Sequence, residues 1–536
     1  MKKYLVLLSV LFSILTVYSQ AVENLWRPPR KKLIDASWSN PTVEYLVANL
    51  ERMEKEAPVD GIIIKMEFTV PINGKNVKIF SHNTMNSLKW EYSWFTDQIN
   101  KLKSLKFKKF TDNFLHTSMR PAKNMDWFND EYWAAIANNY GIIARIARET
   151  GLTGFIFDPE EYAGKVWGVY QGRDRAKAIT IARKRGQQVG NAIFKEKPDV
   201  KILSLFFFSF GTYLYGDAEA SILTHSFFNG IMDVMPPEAR ILEGHEYFGY
   251  YAKNKDCFAQ LRYDVDNVFL CRVSANNYQK YRNQVQLAAP FYLDSVTNNK
   301  NVCYKRLLPE IESMPRLDYI RQNLWNAMEA SNEYVWCYSE EYAWWNKSHV
   351  ARVKGNWETR MPGLTAIWRE LSEISALDLS KAVNILDIPQ LNKDPQVKEP
   401  GKWNFWRRNN KDNPEGKWKN GLAYIVGPQQ ESCVNQSVNI KGGKRYLFRV
   451  EARARSEKNS GTICLGTAFR DGSGKFLPQR REIRIKPLKH GNWESMVFLI
   501  TAPQDAKICS YQLGVKKLQK GEEVEFRHPQ LLELAD

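Results

Sequence analysis

The chain has 536 residues, 44% of them hydrophobic and 25% charged, without a low-complexity tract, which is too long for one ordinary core and too apolar for a disordered protein, so two domains or three are expected. With 76 Lys and Arg against 59 Asp and Glu the formal charge is +17, and this favours an anionic partner. Its 17 Trp, 25 Tyr and 27 Phe are rings that fill cores and also stack on the apolar faces of sugars.

Residues 1–19 set two lysines before an apolar run of roughly fifteen residues and a small residue, the layout of a cleaved secretory signal peptide. The mature chain is therefore expected to begin near Gln20 and to be secreted or periplasmic, with no Cys near the cleavage point to carry a lipid anchor. No later stretch is long enough to span a bilayer. For an exported protein, the positive charge points to an acidic or sulfated glycan rather than nucleic acid.

From about residue 30 to 378 short apolar runs alternate with helical patterns in eight rounds. Strands are expected in KLIDASW (32–38), GIIIKMEF (61–68), FTDNFLHTSM (110–119), GFIFDPEEY (154–162), KILSLFFFSF (201–210), ARILEGHEYFGYY (239–251), VQLAAPFYLD (285–294) and EYVWCYSEEYAWW (333–345). Helices follow: PTVEYLVANLERMEKEA behind an Asn40–Pro41 cap pair, NDEYWAAIANNYGIIARIARETG ending at Gly151, RDRAKAITIARKRGQQVGNAIF, MPRLDYIRQNLWNAMEAS and LTAIWRELSEISA. Apolar strands alternating with amphipathic helices predict a parallel sheet, and eight units fit an α/β fold of the (β/α)8 TIM barrel kind over residues 20–385, an open doubly wound sheet being the alternative. Neither GxGxxG nor GxxxxGK[ST] is present, so no dinucleotide or NTP cofactor is indicated.

Residues 386–402 are polar, punctuated by Pro and Gly, and read as a linker. Beyond them, over 403–536, short alternating runs such as CVNQSVNI, RYLFRVEARA, TICLGTAFR, EIRIKPL and SMVFLITAP recur without a helical stretch, which predicts an all-β jelly-roll sandwich. The seven cysteines (257, 271, 303, 337, 433, 464, 509) lack CxxC spacing and paired His. Buried thiols are expected, with one bridge among 433, 464 and 509 as the alternative and no metal site.

The 403–536 segment resembles carbohydrate-binding modules of families 4 and 9, through Trp403, Trp406, CVNQSVNIKGGKRYLFRVEARA, FRDGSGKF, NWESMVFLITAP and VEFRHPQLLEL; the resemblance implies sugar binding or a structural appendage. The barrel region looks like a secreted glycoside hydrolase. GFIFDPEEY is similar to the D-x-E-Y ending of strand four in family 18 chitinases, where an acid Glu stands two residues after a supporting Asp. Asp158-Pro159-Glu160 keeps that spacing, but a second Glu precedes Tyr162, and Phe155 and Ile156 stand where that motif has aspartates. The resemblance implies fold and reaction class, not substrate.

Strand C-termini of such a barrel open into one mouth, and alternation along strand four puts Asp158 and Glu160 on one face and Glu161 on the other. Glycoside cleavage needs an acid for the leaving oxygen and a second carboxylate to attack carbon or activate water. Glu160 is assigned as acid, Asp158 as its orienting partner, and Glu340 or Glu246 as second carboxylate, with retention or inversion left open. Trp38, Glu67, Tyr162, Trp167, His245, Tyr247, Asp294, Trp336 and Trp344 are the substrate-binding candidates, with Trp345 beside them. Asp35, Asp112, His116 and Glu341 stand at other strand ends, where carboxylates also cap helices. The loop SHNTMNSLKWEYSWF (81–95) is long enough for a subsite wall, and Lys165 and Arg173 could grip an anionic substituent. The expected partner is a carbohydrate. A glycan-binding protein with a degenerate barrel is the alternative, and a lyase ranks below it because no His/Tyr/Arg cluster stands out.

Overall fold

A computed structural model describes residues 30–118, 125–161, 166–169, 173–211, 221–297, 305, 307, 311–312, 314–387, 403–408, 416–419, 421–456, 459–486 and 491–535. The expected signal peptide, most of the expected linker, Tyr162 and Lys165 lie outside the described residues.

All eight expected strand segments contribute to one parallel sheet: β1 (Lys32–Asp35), β2 (Gly61–Ile64), β3 (Phe114–Leu115), β4 (Gly154–Phe157), β5 (Lys201–Ser204), β6 (Arg240–Glu243), β7 (Val285–Leu287), β8 (Ala289–Tyr292) and β9 (Tyr334–Tyr338). Their order is β8-β9-β1-β2-β3-β4-β5-β6-β7. The two ends of that order are consecutive in the chain, parted by Ala288 alone, whose N–H donates to the Glu243 carbonyl at 3.0 Å. The first half of the 285–292 run thus pairs with β6 and the second half with β9, which makes the sheet nearly closed and barrel-like.

Side-chain alternation fills the inside. Ile34, Ile63, Phe114, Ile156, Leu203, Leu242, Ala288, Tyr334 and Trp336 form one buried cluster, while their strand neighbours Leu33, Ile62, Phe155, Ile202, Ile241 and Val335 join the core beneath the helices. Two glycines permit the close approach of adjacent strands: a Cβ on Gly61 would lie 1.8 Å from the Asp112 carbonyl oxygen, and one on Gly154 1.7 Å from that of Lys201. The N-terminal end of the sheet is closed by charge. Lys32 bonds Asp112 at 2.7 Å and Glu333 at 2.9 Å, Lys201 bonds Glu333 at 2.7 Å, and the Tyr334 hydroxyl donates to Asp112 at 2.6 Å.

Helices cross between strands, with α1 (Val43–Glu56) capped by Thr42, whose hydroxyl accepts from the Tyr45 N–H. This corrects the expected Asn40–Pro41 cap: the Pro41 carbonyl is taken by Lys65 N–H at 2.8 Å, so Pro41 belongs to the approach to the sheet. Asn129 caps α2 (Asp130–Glu149), which stops as Gly151 turns left-handed at φ 71°. Asp174 caps α3 (Arg175–Glu196). Later come α4 (Arg316–Ala330) and α5 (Leu364–Ala376). An antiparallel hairpin, Glu67–Ile72 with Lys75–Phe80, is inserted after β2. Among the described residues no helix is long and apolar enough to cross a membrane.

The C-terminal region holds two five-stranded antiparallel sheets. One contains β10 (Trp403–Arg407), β13 (Gln429–Asn439), β18 (Ile508–Leu518), β15 (Thr462–Arg470) and β16 (Phe476–Ile485) in that spatial order. The other contains β11 (Gly416–Lys419), β12 (Leu422–Val426), β19 (Glu523–Glu533), β14 (Arg445–Ala454) and β17 (Glu494–Thr501). A shared core includes Trp403, Tyr446, Phe448, Phe498, Tyr511 and Phe526. The six described cysteines are unbridged.

A polar seam joins the two regions. Glu370 on α5 accepts from Arg321 of α4, from Arg481 of β16 at 2.7 Å and from the Leu499 N–H of β17 at 2.7 Å. Burial pushes the Glu370 carboxyl up, but the two guanidiniums outweigh it and hold it below its ordinary value. The Glu370→Gln change strands the buried Arg321 and the partly exposed Arg481 and is expected to lower unfolding free energy by about 3 kcal/mol, read by urea denaturation. Because the folded pKa is depressed, this contribution is present above the ordinary glutamate value of 4.5 and is lost as pH falls through the lowered one. The acid branch of the wild-type stability curve should therefore flatten in the variant.

Candidate active site

At the C-terminal ends of the strands lies a cavity of about 340 Å³ bordered by Trp38, Lys65, Glu67, His82, His116, Asp158, Glu160, Glu246, Tyr250, Tyr338 and Glu340, among others. Glu67 reaches it from the first residue of the inserted hairpin, and three short stretches of backbone bring the other four carboxylates there.

After β4 the chain leaves the sheet at Phe157, so Asp158 and Glu160 stand on the following loop and not on the strand that was expected to run to 162. Asp158 Oδ1 accepts from the Glu160 N–H at 3.2 Å, and Ser118 Oγ donates to the Asp158 carbonyl at 3.2 Å. Glu161 turns instead to the backbone N–H groups of Val166 and Trp167, at 2.6 and 2.7 Å. The buried Trp167 ring donates to the Pro159 carbonyl at 2.8 Å, so it braces this loop from below and does not border the cavity.

Strand β6 likewise ends early, at Glu243. That fully buried carboxylate accepts from Ser209 Oγ at 2.7 Å and from the N–H groups of Phe207, Ser209 and His245 at 3.1 to 3.2 Å. Burial pushes its carboxyl above the ordinary value, and those donors restrain the shift. His245 then turns with φ 43°, a region rare outside glycine and worth roughly 1 kcal/mol of strain or more. The turn hands the Glu246 N–H to the Leu205 carbonyl at 3.0 Å and brings its carboxylate to the cavity, where the Tyr250 hydroxyl donates to it. Burial first, then the charge of Glu246 and finally that of Glu160, push the Tyr250 phenol far above its ordinary value, so it stays a donor across the working pH range. His245 itself packs on Phe248 and Phe269, and burial lowers its pKa to about 3.

Glu340 follows β9. It is ion-paired with Arg352, and the Tyr292 and Tyr338 hydroxyls lie 3.4 Å from its Oε1. Its N–H donates to Asp294, a buried carboxyl that burial raises to about 6. Asp294 is thus a strut behind the cavity wall. Asp35, raised by burial to about 7, holds Ser37 and Ser39 at the end of β1.

One wall is aromatic. Trp38 Nε1 donates to the Tyr338 hydroxyl, and the Tyr338, Tyr292 and Tyr250 rings lie 4.4 to 5.9 Å apart. Among the described residues, Trp38, 39% exposed, is the one expected aromatic substrate-binding candidate that borders the cavity. Trp336 lies inside the sheet, Trp344 and Trp345 are in the core beside it, and Tyr247 packs on Tyr251. Asp112 belongs to the charged closure at the opposite end. Glu341 pairs with Lys354 at 2.7 Å, and Arg173 sits on the Phe128 ring. Sequence reasoning did not single out Lys65, His82, Ser118, Tyr250 or Tyr338. Two of these were within its reach, since Tyr250 stands one helical turn after Glu246 and Tyr338 one strand repeat before Glu340.

A second hollow, about 650 Å³, lies on the β10-β13-β18-β15-β16 sheet. Trp406 and Phe476 are each 49% exposed there, and the Arg470 and Arg480 guanidiniums lie 4.4 and 5.4 Å from the Phe476 ring centroid. Among the described residues no cluster of three or more His, Cys, Asp or Glu groups is placed to hold a metal ion.

No protein-family model and no curated protein sequence matches the chain. Among solved structures it is similar to a carbohydrate-binding module described under "CBM4 structure and function", at 16% identity over 26% of this chain and 90% of that one, TM-score 0.20. It is also similar to a xylan-binding domain from CBM 22, at 17% identity over 28% and 96%, TM-score 0.20. The Clostridium thermocellum xylanase Xyn10B CBM22-1–GH10 modules match at 11% identity over 25% of this chain and 26% of that one, TM-score 0.20, and the agarase AgWH50C at 14% over 29% and 25%, TM-score 0.21. The chain thus spans about a quarter of the length of the two enzymes.

Proposed function

We propose that this chain is an exported glycoside hydrolase that cleaves O-glycosyl bonds of a polysaccharide or host glycan, with an anionic glycan favoured by the net charge. In this reading residues 1–19 are the signal peptide and 20–385 an eight-unit (β/α)8 barrel closed through Ala288. Residues 386–402 are then the linker and 403–536 a jelly-roll module whose Trp406 and Phe476 hollow holds the same glycan. The observation that carries it is the meeting of Asp158, Glu160 and Glu246 in one cavity beside an aromatic wall.

Glu160 protonates the departing glycosidic oxygen. Asp158, hydrogen-bonded to the Glu160 backbone, fixes the loop that aims it. Glu246, oriented by the Tyr250 hydroxyl, either takes the proton of the water that attacks the anomeric carbon or attacks that carbon itself, and the ester so formed is then opened by a water whose proton passes to Glu160. Glu340, which contacts Arg352, lies where it accepts hydrogen bonds from sugar hydroxyls.

One observation favours a second reading, a lyase acting on an acidic polysaccharide: His82 and His116, ring centroids 5.6 Å apart, share the cavity with Lys65, Tyr250 and Tyr338. A panel of neutral, uronate-bearing and sulfated polysaccharides decides between them. Hydrolysis releases new reducing ends with no ultraviolet-absorbing unsaturated product. Unsaturated ends would establish the lyase, and binding without either product across the panel would leave a glycan-binding protein.

A further inference from the structure

Among the described residues that border the cavity, Lys65 is the single Lys or Arg. Its backbone is pinned one residue beyond β2 by the N–H bond to the Pro41 carbonyl at 2.8 Å, so its side chain issues from a strand end into the mouth. Five carboxylates border the same cavity: Glu67 pairs with Lys78 at 3.3 Å, Glu340 with Arg352, Glu246 accepts from the Tyr250 hydroxyl, Asp158 accepts from the Glu160 N–H, and Glu160 is the assigned acid. No carboxylate among the described residues forms an ion pair with Lys65. Its ammonium lies 5.9 Å from the centroid of the half-exposed Trp38 ring, a weak substitute for a counter-ion.

A half-buried cation in such a place is ordinarily paired, because desolvation of a lone ammonium is unfavourable. We infer that Lys65 is the residue that reads a negative charge on the sugar, so that this cavity takes a glycan carrying a carboxylate or a sulfate group. The inference rests on the cavity being the sugar site and adds the class of sugar and the residue that selects it. Two further observations agree with it. Burial lowers the Lys65 pKa and the charge of Glu67 only partly offsets this, a shift that a bound anion would reverse. Trp38 offers a ring face beside the ammonium, the pairing that a charged pyranose presents as an apolar face with an anionic substituent.

The test uses oligosaccharides of polygalacturonate, glucuronoxylan, chondroitin sulfate and κ-carrageenan, each beside its carboxyl-reduced or desulfated counterpart. They are titrated calorimetrically into the full chain carrying Trp406→Ala and Phe476→Ala, so that the second hollow contributes little. At least one acidic probe should bind roughly 10- to 100-fold more tightly than its neutral counterpart. Lys65→Met should collapse that ratio to about one, and Lys65→Arg should restore most of it, with unchanged circular dichroism in both. Which pairs show the ratio tells a carboxylate from a sulfate. No preference for any acidic probe, or a preference that survives Lys65→Met, overturns the inference. Acidic binding that depends on Lys65 without turnover would refute the hydrolase and leave this inference standing, whereas turnover with no acidic preference would do the reverse.

Discussion

Glu160→Gln should lower kcat on a responsive glycan roughly 10³- to 10⁴-fold while glycan affinity stays within a few-fold of wild type. The amide keeps the shape of the side chain and the Asp158 contact, which is made to the Glu160 backbone, but carries no proton to give. The loss should depend on the leaving group. With an aryl glycoside whose phenol departs readily as an anion, protonation is dispensable and most of the rate returns. A uniform loss across leaving groups would assign Glu160 to positioning. Glu161→Gln is the control: its carboxylate holds the backbone of Val166 and Trp167, so its effect should appear in thermal stability more than in leaving-group dependence.

Glu246→Ala should be more damaging, by about 10⁴-fold or more in kcat, and a better leaving group should not rescue it, because the missing group acts at carbon. If Glu246 is the nucleophile, added azide or formate restores turnover by entering the vacated space, and the azide product is a glycosyl azide identifiable by mass. If it is a base, small anions act without forming that adduct. Tyr250→Phe should share part of the loss, since it removes the donor that orients Glu246. A loss of this size and kind in Glu340→Ala, with Glu246→Ala still active, would transfer the role across the cavity and end the present assignment.

The parallel sheet was legible because its strands are buried on both faces, so GIII and GFIF read as unbroken apolar runs and KLID and RILE as apolar pairs between charged ends, whichever way each side chain points. Strand ends were not legible. Pro159 and Gly244 stand next to the two ends as breakers, but each is also compatible with a strand that runs on through DPEEY or HEYFGYY, and what takes the backbone out of the sheet after Phe157 and Glu243 is bonding to distant residues, as with Glu246 and Leu205. The same limit separates the aromatics. Trp336 and Tyr338 stand two apart on one strand, yet one ring is sealed inside the sheet and the other faces the cavity, because the interior ends between them. Lys65 gave no signal at all, since a lysine after an apolar run is ordinarily a solvated strand end and only the placement of Glu67, Lys78 and Arg352 makes it different.

Among the described residues, Lys32, Lys201, Asp112, Glu333 and Tyr334 stopper the base of the sheet beneath an apolar plug, so the hollow has a floor as well as a mouth. In the proposed reading, a cut fragment is barred from leaving through that floor, so a spent fragment lingering at the mouth delays the next arrival. On that reading, swapping loop residues at the rim of the mouth should change throughput at saturation without altering the cutting step.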